Sequence, residues 1–389
     1  MCIEITDTTL RDGEQTSGVS FSTYEKLSLA KILLKNVNVD RLEVASARVS
    51  EGEFASVKAI TKWAGKNDLL DSIEVLGFVD GQVSVDWITK AGGRVINLLA
   101  KGSQRHVELQ LGKTPEQHLQ DIKELISYAD SQNVAVNIYL EDWSNGMADS
   151  PDYVFFMVDG LKDTSIKRFM LPDTLGVLSP DNAYAYCKEM VSRYPQLHFD
   201  FHAHNDYDLA TANVLNAVKA GVHGIHATVN GMGERAGNVP LSSVIGVIHD
   251  HLKESTNINE SAINKVSRIV ETYSGVRIPA NKPVIGDFVF TQTAGIHADG
   301  DSKSNLYYND LLPERFGRTR EYALGKTSGK ANIQKNLEEL GIVLDAEDMK
   351  RVTNRIIELG DKKERVTKED LPFIIADVLG ERVESNDIE

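Results

Sequence analysis

The chain has 389 residues, 41% hydrophobic and 25% charged, the balance of a globular protein, which argues against disorder. A net charge of −15 argues against a general nucleic-acid or anionic-membrane binder, since both need a basic face, but leaves room for a small anionic substrate held by local cations. Only two cysteines (Cys2 and Cys187), no apolar run long enough to span a bilayer and no basic-then-apolar leader point to a reducing, cytoplasmic setting.

Taken in chain order, strand-like runs fall near 3–9, 40–46, 72–79, 95–101, 135–142, 168–174, 197–204 and 224–230. Helical stretches lie between them, among them Tyr24–Lys35, Pro115–Ser131, Pro180–Tyr194 and Leu209–Ala220. Strict strand–helix alternation implies a parallel sheet, and eight such units predict a closed (β/α)8 TIM barrel over residues 1–255. Segment 258–275 reads as a further helix within a loop-rich linker subdomain, 256–330. Residues 331–389 carry two or three helices, with Gly360-Asp361 as a break, so a smaller, mainly helical C-terminal module should follow the barrel.

The strands show what faces the barrel axis. In VAVNIYLE, Val134, Val136, Ile138 and Leu140 alternate with Ala135, Asn137, Tyr139 and Glu141. In LHFDFHAH, Leu197, Phe199, Phe201 and Ala203 oppose His198, Asp200, His202 and His204. In GIHATVN, Ile225, Ala227 and Val229 oppose His226, Thr228 and Asn230. Neighbouring side chains point to opposite faces of a strand. An apolar face under the helices and a polar face toward the axis accounts for all three, and a polar interior is costly unless it serves a site.

Candidate chemistry gathers at the carboxyl ends of the strands, where barrel enzymes keep their active sites. The run TTLRDGEQ places Arg11 and Asp12 after the first strand, either as site residues or as a solvated pair in an ordinary turn. His202 and His204 share a strand face and could grip one ion, or be two satisfied inward histidines. With Asp12 they form a two-histidine, one-carboxylate set that leaves open coordination positions, as the facial triad of non-heme iron oxygenases also does. Asn238 could add an amide oxygen to the metal. The loop Asn230–Asn238 fits a dinucleotide fingerprint in Gly231, Gly233 and Ala236, but it closes a barrel instead of opening a βαβ unit, and loops there commonly take phosphate groups. Glu141 ends strand 5 facing inward as a candidate general base, and Thr174 ends strand 6 as a candidate donor to a carboxylate. His297 lies beyond the barrel. The run Gly325–Lys330 is not a P-loop, because Arg320 stands where the first glycine is needed.

LRDGEQTSGVSF, LPDTLG, HAHND and NGMGERAGN, in that order, resemble the acetyl-CoA-dependent Claisen-condensing metallo-barrels, which include the 2-isopropylmalate, homocitrate and (R)-citramalate synthases. GIHADG and GKTSGK carry the likeness to about residue 380. It is greatest to (R)-citramalate synthases of the spirochete type, through VSFST, NVDRLEVASARVS, YLEDWSNG, HNDYDLA and LPERFGR.

The resemblance implies a divalent metal (Mn, Zn or Mg) on Asp12, His202 and His204, with Asn238 in or near its shell. It implies that Arg11 holds the oxygen of a 2-oxo acid, that Thr174 holds its carboxylate, and that Gly231, Gly233 and Asn238 lie near acetyl-CoA. Glu141 would form a base system with His297, which a partner subunit supplies together with Tyr307, so a homodimer with shared active sites is expected. Leu76, Leu99 and Tyr139 match the acceptor pocket of citramalate synthases: a ring and two leucines suit the methyl group of pyruvate better than an isopropyl group, and no cation among them invites 2-oxoglutarate. The expected product is therefore (R)-citramalate, with 2-isopropylmalate from 2-oxoisovalerate as the alternative. The related lyases carry a cysteine in the loop after strand 8, and Gly231–Asn238 has none. The chain has Tyr207-Asp208 where most relatives have Leu-Gly, and with the sequence read to Glu389 the resemblance leads to the expectation of no regulatory domain of the feedback-controlled kind.

Overall fold

A computed structural model describes residues 2–380. Eight parallel strands close into a barrel in sequence order: β1 Glu4–Asp7, β2 Arg41–Ser46, β3 Ile73–Phe78, β4 Val95–Lys101, β5 Ala135–Glu141, β6 Phe169–Asp173, β7 Phe199–Ala203 and β8 Gly224–Ala227. β1 pairs with both β2 and β8 and so closes the ring. The expected (β/α)8 class and its strand order are those observed. Helix starts follow local chemistry. Ser22 with Glu25, and Thr114 with Gln117, form reciprocal capping boxes, while Ser179 caps the helix Pro180–Arg193.

The outward faces of the strands are apolar and dry. Ile5, Leu42, Val44, Val75, Leu98, Ile138, Phe199, Phe201 and Ile225 are fully buried beneath the helices. Each such burial is worth roughly 1.5–3 kcal/mol, which is what allows the inward face to be polar.

That inward face is a ladder of charge and amide. At the amino-terminal mouth, Glu4 meets Arg168 at 3.0 Å and Arg41 at 3.3 Å. Arg41 reaches Glu74 at 3.1 Å and Asp200 at 2.6 Å. Asn97 donates to Glu43 and Glu74, and Asn137 to Glu74 and Asn97. Glu43 then accepts from Arg11 at the carboxyl end. The alternation read in β5 and β7 holds. In β8 it fails after Thr228. The strand ends at Ala227, and Asn230 sits in a left-handed turn (φ 62°) with its amide donating to Ser267, so it does not face the axis.

The described chain forms two compact units, one running to Ile278 and the other from Pro279. The helix Ile263–Ser274 belongs to the first. The second holds a two-stranded parallel ribbon, β9 Thr291–Gln292 and β10 Glu321–Tyr322, and the helix Gly295–Ser304. It also holds helices Lys330–Glu339, Ala346–Asp361 and Leu371–Leu379, with Ile333, Leu337, Val352, Ile356 and Leu371 buried among them. Gly360-Asp361 closes the helix Ala346–Asp361, and the next helix begins at Leu371, as expected of a break. Glycine is needed at position 360 because a Cβ would stand 2.3 Å from the Lys326 amide nitrogen. Residues 381–389 of the expected module lie outside the described residues. Among the described residues no helix is long and apolar enough to cross a membrane.

Candidate active site

At the carboxyl ends of the strands the first unit encloses a chamber of about 280 Å3, lined among others by Arg11, Asp12, Leu76, Leu99, Tyr139, Glu141, Thr174, His202 and His204. Its first corner is built by the end of β1. The Asp7 carboxylate accepts the N–H and hydroxyl of Thr9, and the Thr8 carbonyl accepts from the N–H groups of Arg11, Asp12 and Gly13. This tight turn sets Arg11 and Asp12 side by side.

Asp12 Oδ2 lies 3.1 Å from His202 Nε2 and 3.8 Å from His204 Nε2, and the two imidazole nitrogens are 3.4 Å apart. All three residues are buried. Burial alone would raise the Asp12 carboxyl, but Arg11 at 3.2 Å and His202 outweigh it and hold it well below the usual carboxylate range. Burial pushes His202 down, and His204 down to about 4, so both rings are neutral at pH 7. A carboxylate and two neutral imidazoles thus converge with their ligand atoms close together. Asp12 Oδ1 and Asn238 Oδ1 are also buried and lack a hydrogen-bond partner among the described residues. Such a donor set fits a divalent cation.

The Arg11 guanidinium is fixed on three sides. It donates to Glu43, contacts Asp12 and donates to the Tyr139 hydroxyl at 3.3 Å. Burial raises the Tyr139 phenol well above its ordinary value, so the hydroxyl keeps its proton. The Tyr139 ring packs with Leu76, Met170 and Leu99, so the three residues expected to form the acceptor pocket do lie together. Glu141 is bound by the Lys101 ammonium, its register partner on β4. The Thr174 hydroxyl oxygen accepts from the backbone N–H of Asp142 at 2.9 Å, which leaves its proton free to donate into the chamber.

The loop after β8 is locked down. Arg235 grips both carboxylate oxygens of Asp206, after β7, and donates to the Thr174 carbonyl, after β6. Gly237 has φ 83°, and a Cβ there would lie 2.0 Å from the Gly231 carbonyl oxygen, so only glycine closes this turn. The N–H of Gly231 goes to Thr228 and that of Gly233 to Thr16, so neither amide is free to cradle a phosphate. Asn238 donates to the Met232 carbonyl and presents its oxygen unpaired. In the second unit, the His297 and Tyr307 rings meet at 4.2 Å, and His297 Nδ1 contacts Gln292 at 3.1 Å.

Several residues were not anticipated: Glu43, Lys101 and Arg235, which hold the lining residues Arg11, Glu141 and Thr174, and the wall residues Gln15, Ser46 and Glu234. The signal for Glu43 was present, since it shares a face of RLEVAS with Arg41.

Residues 2–270 match the HMGL-like family, and residues 284–364 match the homocitrate synthase post-HMGL domain-like family. The (R)-citramalate synthase of Methanocaldococcus jannaschii is 33% identical over 99% of this chain and 76% of its own length. The 2-isopropylmalate synthase of Saccharolobus solfataricus is 35% identical over 95% of this chain and 94% of its own length. Among solved structures, an HMG-CoA lyase from Bacillus subtilis superposes on 72% of this chain and 95% of its own, with a TM-score of 0.58 and 18% identity, a likeness of fold.

Proposed function

Because the chain belongs to the HMGL-like family and, within it, to the acetyl-CoA-dependent condensing enzymes, we propose that its acceptor is pyruvate and its product (R)-citramalate. The observation that carries the choice is the wall of Leu76, Leu99 and Tyr139. It is apolar, without a cation for a second carboxylate, and its ring is held by its hydroxyl. The two further methyl groups of 2-oxoisovalerate would have to displace that wall.

A divalent cation held by Asp12, His202 and His204, with the Asn238 oxygen nearby, would act as a Lewis acid on the ketone. Arg11 adds fixed positive charge where the ketone oxygen becomes an alkoxide, and it needs no reorganisation because Glu43, Asp12 and Tyr139 already hold it. Thr174 donates to the acceptor carboxylate. Glu141 takes a proton from the thioester methyl group as the new carbon–carbon bond forms. Water then cleaves the thioester and releases the CoA thiol. His297, beside Tyr307, completes the base system from the partner subunit of a homodimer.

Thiol release from acetyl-CoA with pyruvate, 2-oxoisovalerate, 2-oxobutyrate and 2-oxoglutarate in parallel tests the assignment. Pyruvate is expected to give the highest kcat/KM. A higher value with 2-oxoisovalerate would make the chain a 2-isopropylmalate synthase. Discrimination by one methylene in an apolar pocket is worth roughly 1–3 kcal/mol, so Tyr139→Val should shift the ratio toward 2-oxoisovalerate by about tenfold or more. A ratio unchanged in that variant removes Tyr139 from acceptor choice.

Metal uptake has its own signature. With Asp12 ionised and both histidines neutral, the apoprotein has no proton to shed at pH 7. Titration calorimetry with Mn should give the same heat in two buffers of different ionisation enthalpy. Proton release should appear on acidification, as the two histidines, both held below the usual imidazole range, take up protons, His204 at about 4. Release of one or more protons at pH 7 would contradict the neutral-ligand arrangement.

A further inference from the structure

Below the acceptor wall lies a chain of contacts that the condensation chemistry leaves without a role. The Tyr139 hydroxyl is 2.9 Å from His226 Nδ1, and His226 Nε2 is 3.2 Å from Asp200 Oδ2. Asp200 also accepts from Arg41 at 2.6 Å and faces His198 Nε2 at 2.9 Å. Tyr139, Asp200 and His226 are all buried within the barrel.

The direction of each hydrogen bond follows from what its members can do. A carboxylate in a salt bridge with Arg41 only accepts, so His226 Nε2 carries a proton and donates it. Arg41 already supplies the positive charge for Asp200, which leaves the imidazole neutral and its Nδ1 an acceptor. Tyr139 must therefore give its single proton to His226. Its oxygen is then free to accept from Arg11, as the 3.3 Å contact shows, and the 3.4 Å approach to Glu43 has no proton left to fill it. The ring stands edge-on to His202 and His226, so rotation about its long axis is blocked while the hydroxyl fixes its depth.

We propose that His226 is a positioning residue for acceptor choice: by taking the Tyr139 proton it holds the ring against Leu76 and Leu99 and keeps the chamber closed to branched 2-oxo acids. The proposal rests on the condensation function assigned above. It differs from a filling role for His226, in which any side chain of similar volume would serve.

The test is a double-mutant cycle on the ratio of kcat/KM for pyruvate to that for 2-oxoisovalerate, with thermal denaturation to check folding. His226→Leu and Tyr139→Phe should each lower the ratio about threefold to tenfold, the worth of one buried hydrogen bond, through KM more than kcat. The double variant should lower it no further than either single change. His226→Asn, which keeps an acceptor near the place of Nδ1, should restore most of the ratio. Additive losses, or an asparagine variant no better than leucine at equal Tm, overturn the proposal. If His226→Leu does not fold, Tyr139→Phe and His226→Asn decide it: the first must lower the ratio and the second must not. A wild-type chain that releases thiol with neither acid overturns the condensation assignment instead. The hydrogen bond is then judged by 15N spectra of histidine-labelled protein, where the unprotonated Nδ1 of His226 should shift in Tyr139→Phe. No shift overturns the positioning role.

Discussion

His202→Ala is expected to abolish thiol release and metal content while leaving the barrel folded. His202 is buried, its Nδ1 has no hydrogen-bond partner among the described residues, and its Nε2 faces only Asp12, His204 and the space between them. Asp12 keeps Arg11 as its counter-charge in the variant, so no unpaired buried carboxylate is left behind. Loss of a Lewis acid worth several kcal/mol corresponds to a fall of at least ~10³-fold in kcat. Atomic emission for bound metal, circular dichroism for fold and the thiol assay measure the three terms separately. A variant with full metal occupancy and wild-type turnover would remove His202 from the metal site.

Glu141→Ala and His297→Ala are each expected to lower kcat by about 10²–10⁴-fold, the usual contribution of a positioned acid or base. The two residues lie in different compact units of the chain. If the base system is completed across a twofold interface, mixing the two inactive variants under conditions of subunit exchange restores activity. Each mixed dimer carries one site with both lesions and one with neither, so random exchange should return about a quarter of the wild-type rate. Mass spectrometry of differently labelled subunits confirms exchange. Exchange without recovered activity would mean that each subunit completes its own site.

The barrel and the inward pair His202 and His204 were legible because both rest on periodicity. Strand alternation put Tyr139, Glu141, His202 and His204 on the inward face without any knowledge of neighbours. Lys101 is different. Its pairing with Glu141 depends on the register of β4 against β5, which sets Asn97 by Asn137, Leu99 by Tyr139 and Lys101 by Glu141, and a single strand does not carry that information. Ser46 has the parity of Leu42 and Val44, yet it lines the chamber, because an irregularity between Glu43 and Ser46 shifts the register of β2 against β3. Arg235 reads as a solvated charge until the loops after β6 and β7 arrive beside it. Asn230 was misplaced because the period-two rule was extended past the end of β8, where the backbone turns left-handed. For Lys101, Ser46 and Arg235 the missing term is long-range, pairing register or loop closure; for Asn230 it is the point at which the strand ends.

The charged ladder through the barrel has a consequence for anyone who would make this protein hardier. Replacing a buried ionic cluster with well-packed aliphatic side chains is often neutral or stabilising, because charges held away from water cost much of what their attraction returns. Arg41, Glu74 and Asp200 are the obvious targets for such repacking. Here the same three residues lie upstream of the phenol that walls the acceptor chamber, through Asp200 and His226. If His226 positions Tyr139 as proposed, a heat-resistant variant with an apolar interior would keep its shape and accept bulkier acids. Thermal robustness and substrate discrimination would then draw on one set of atoms, and a selection for either alone would drift away from the other.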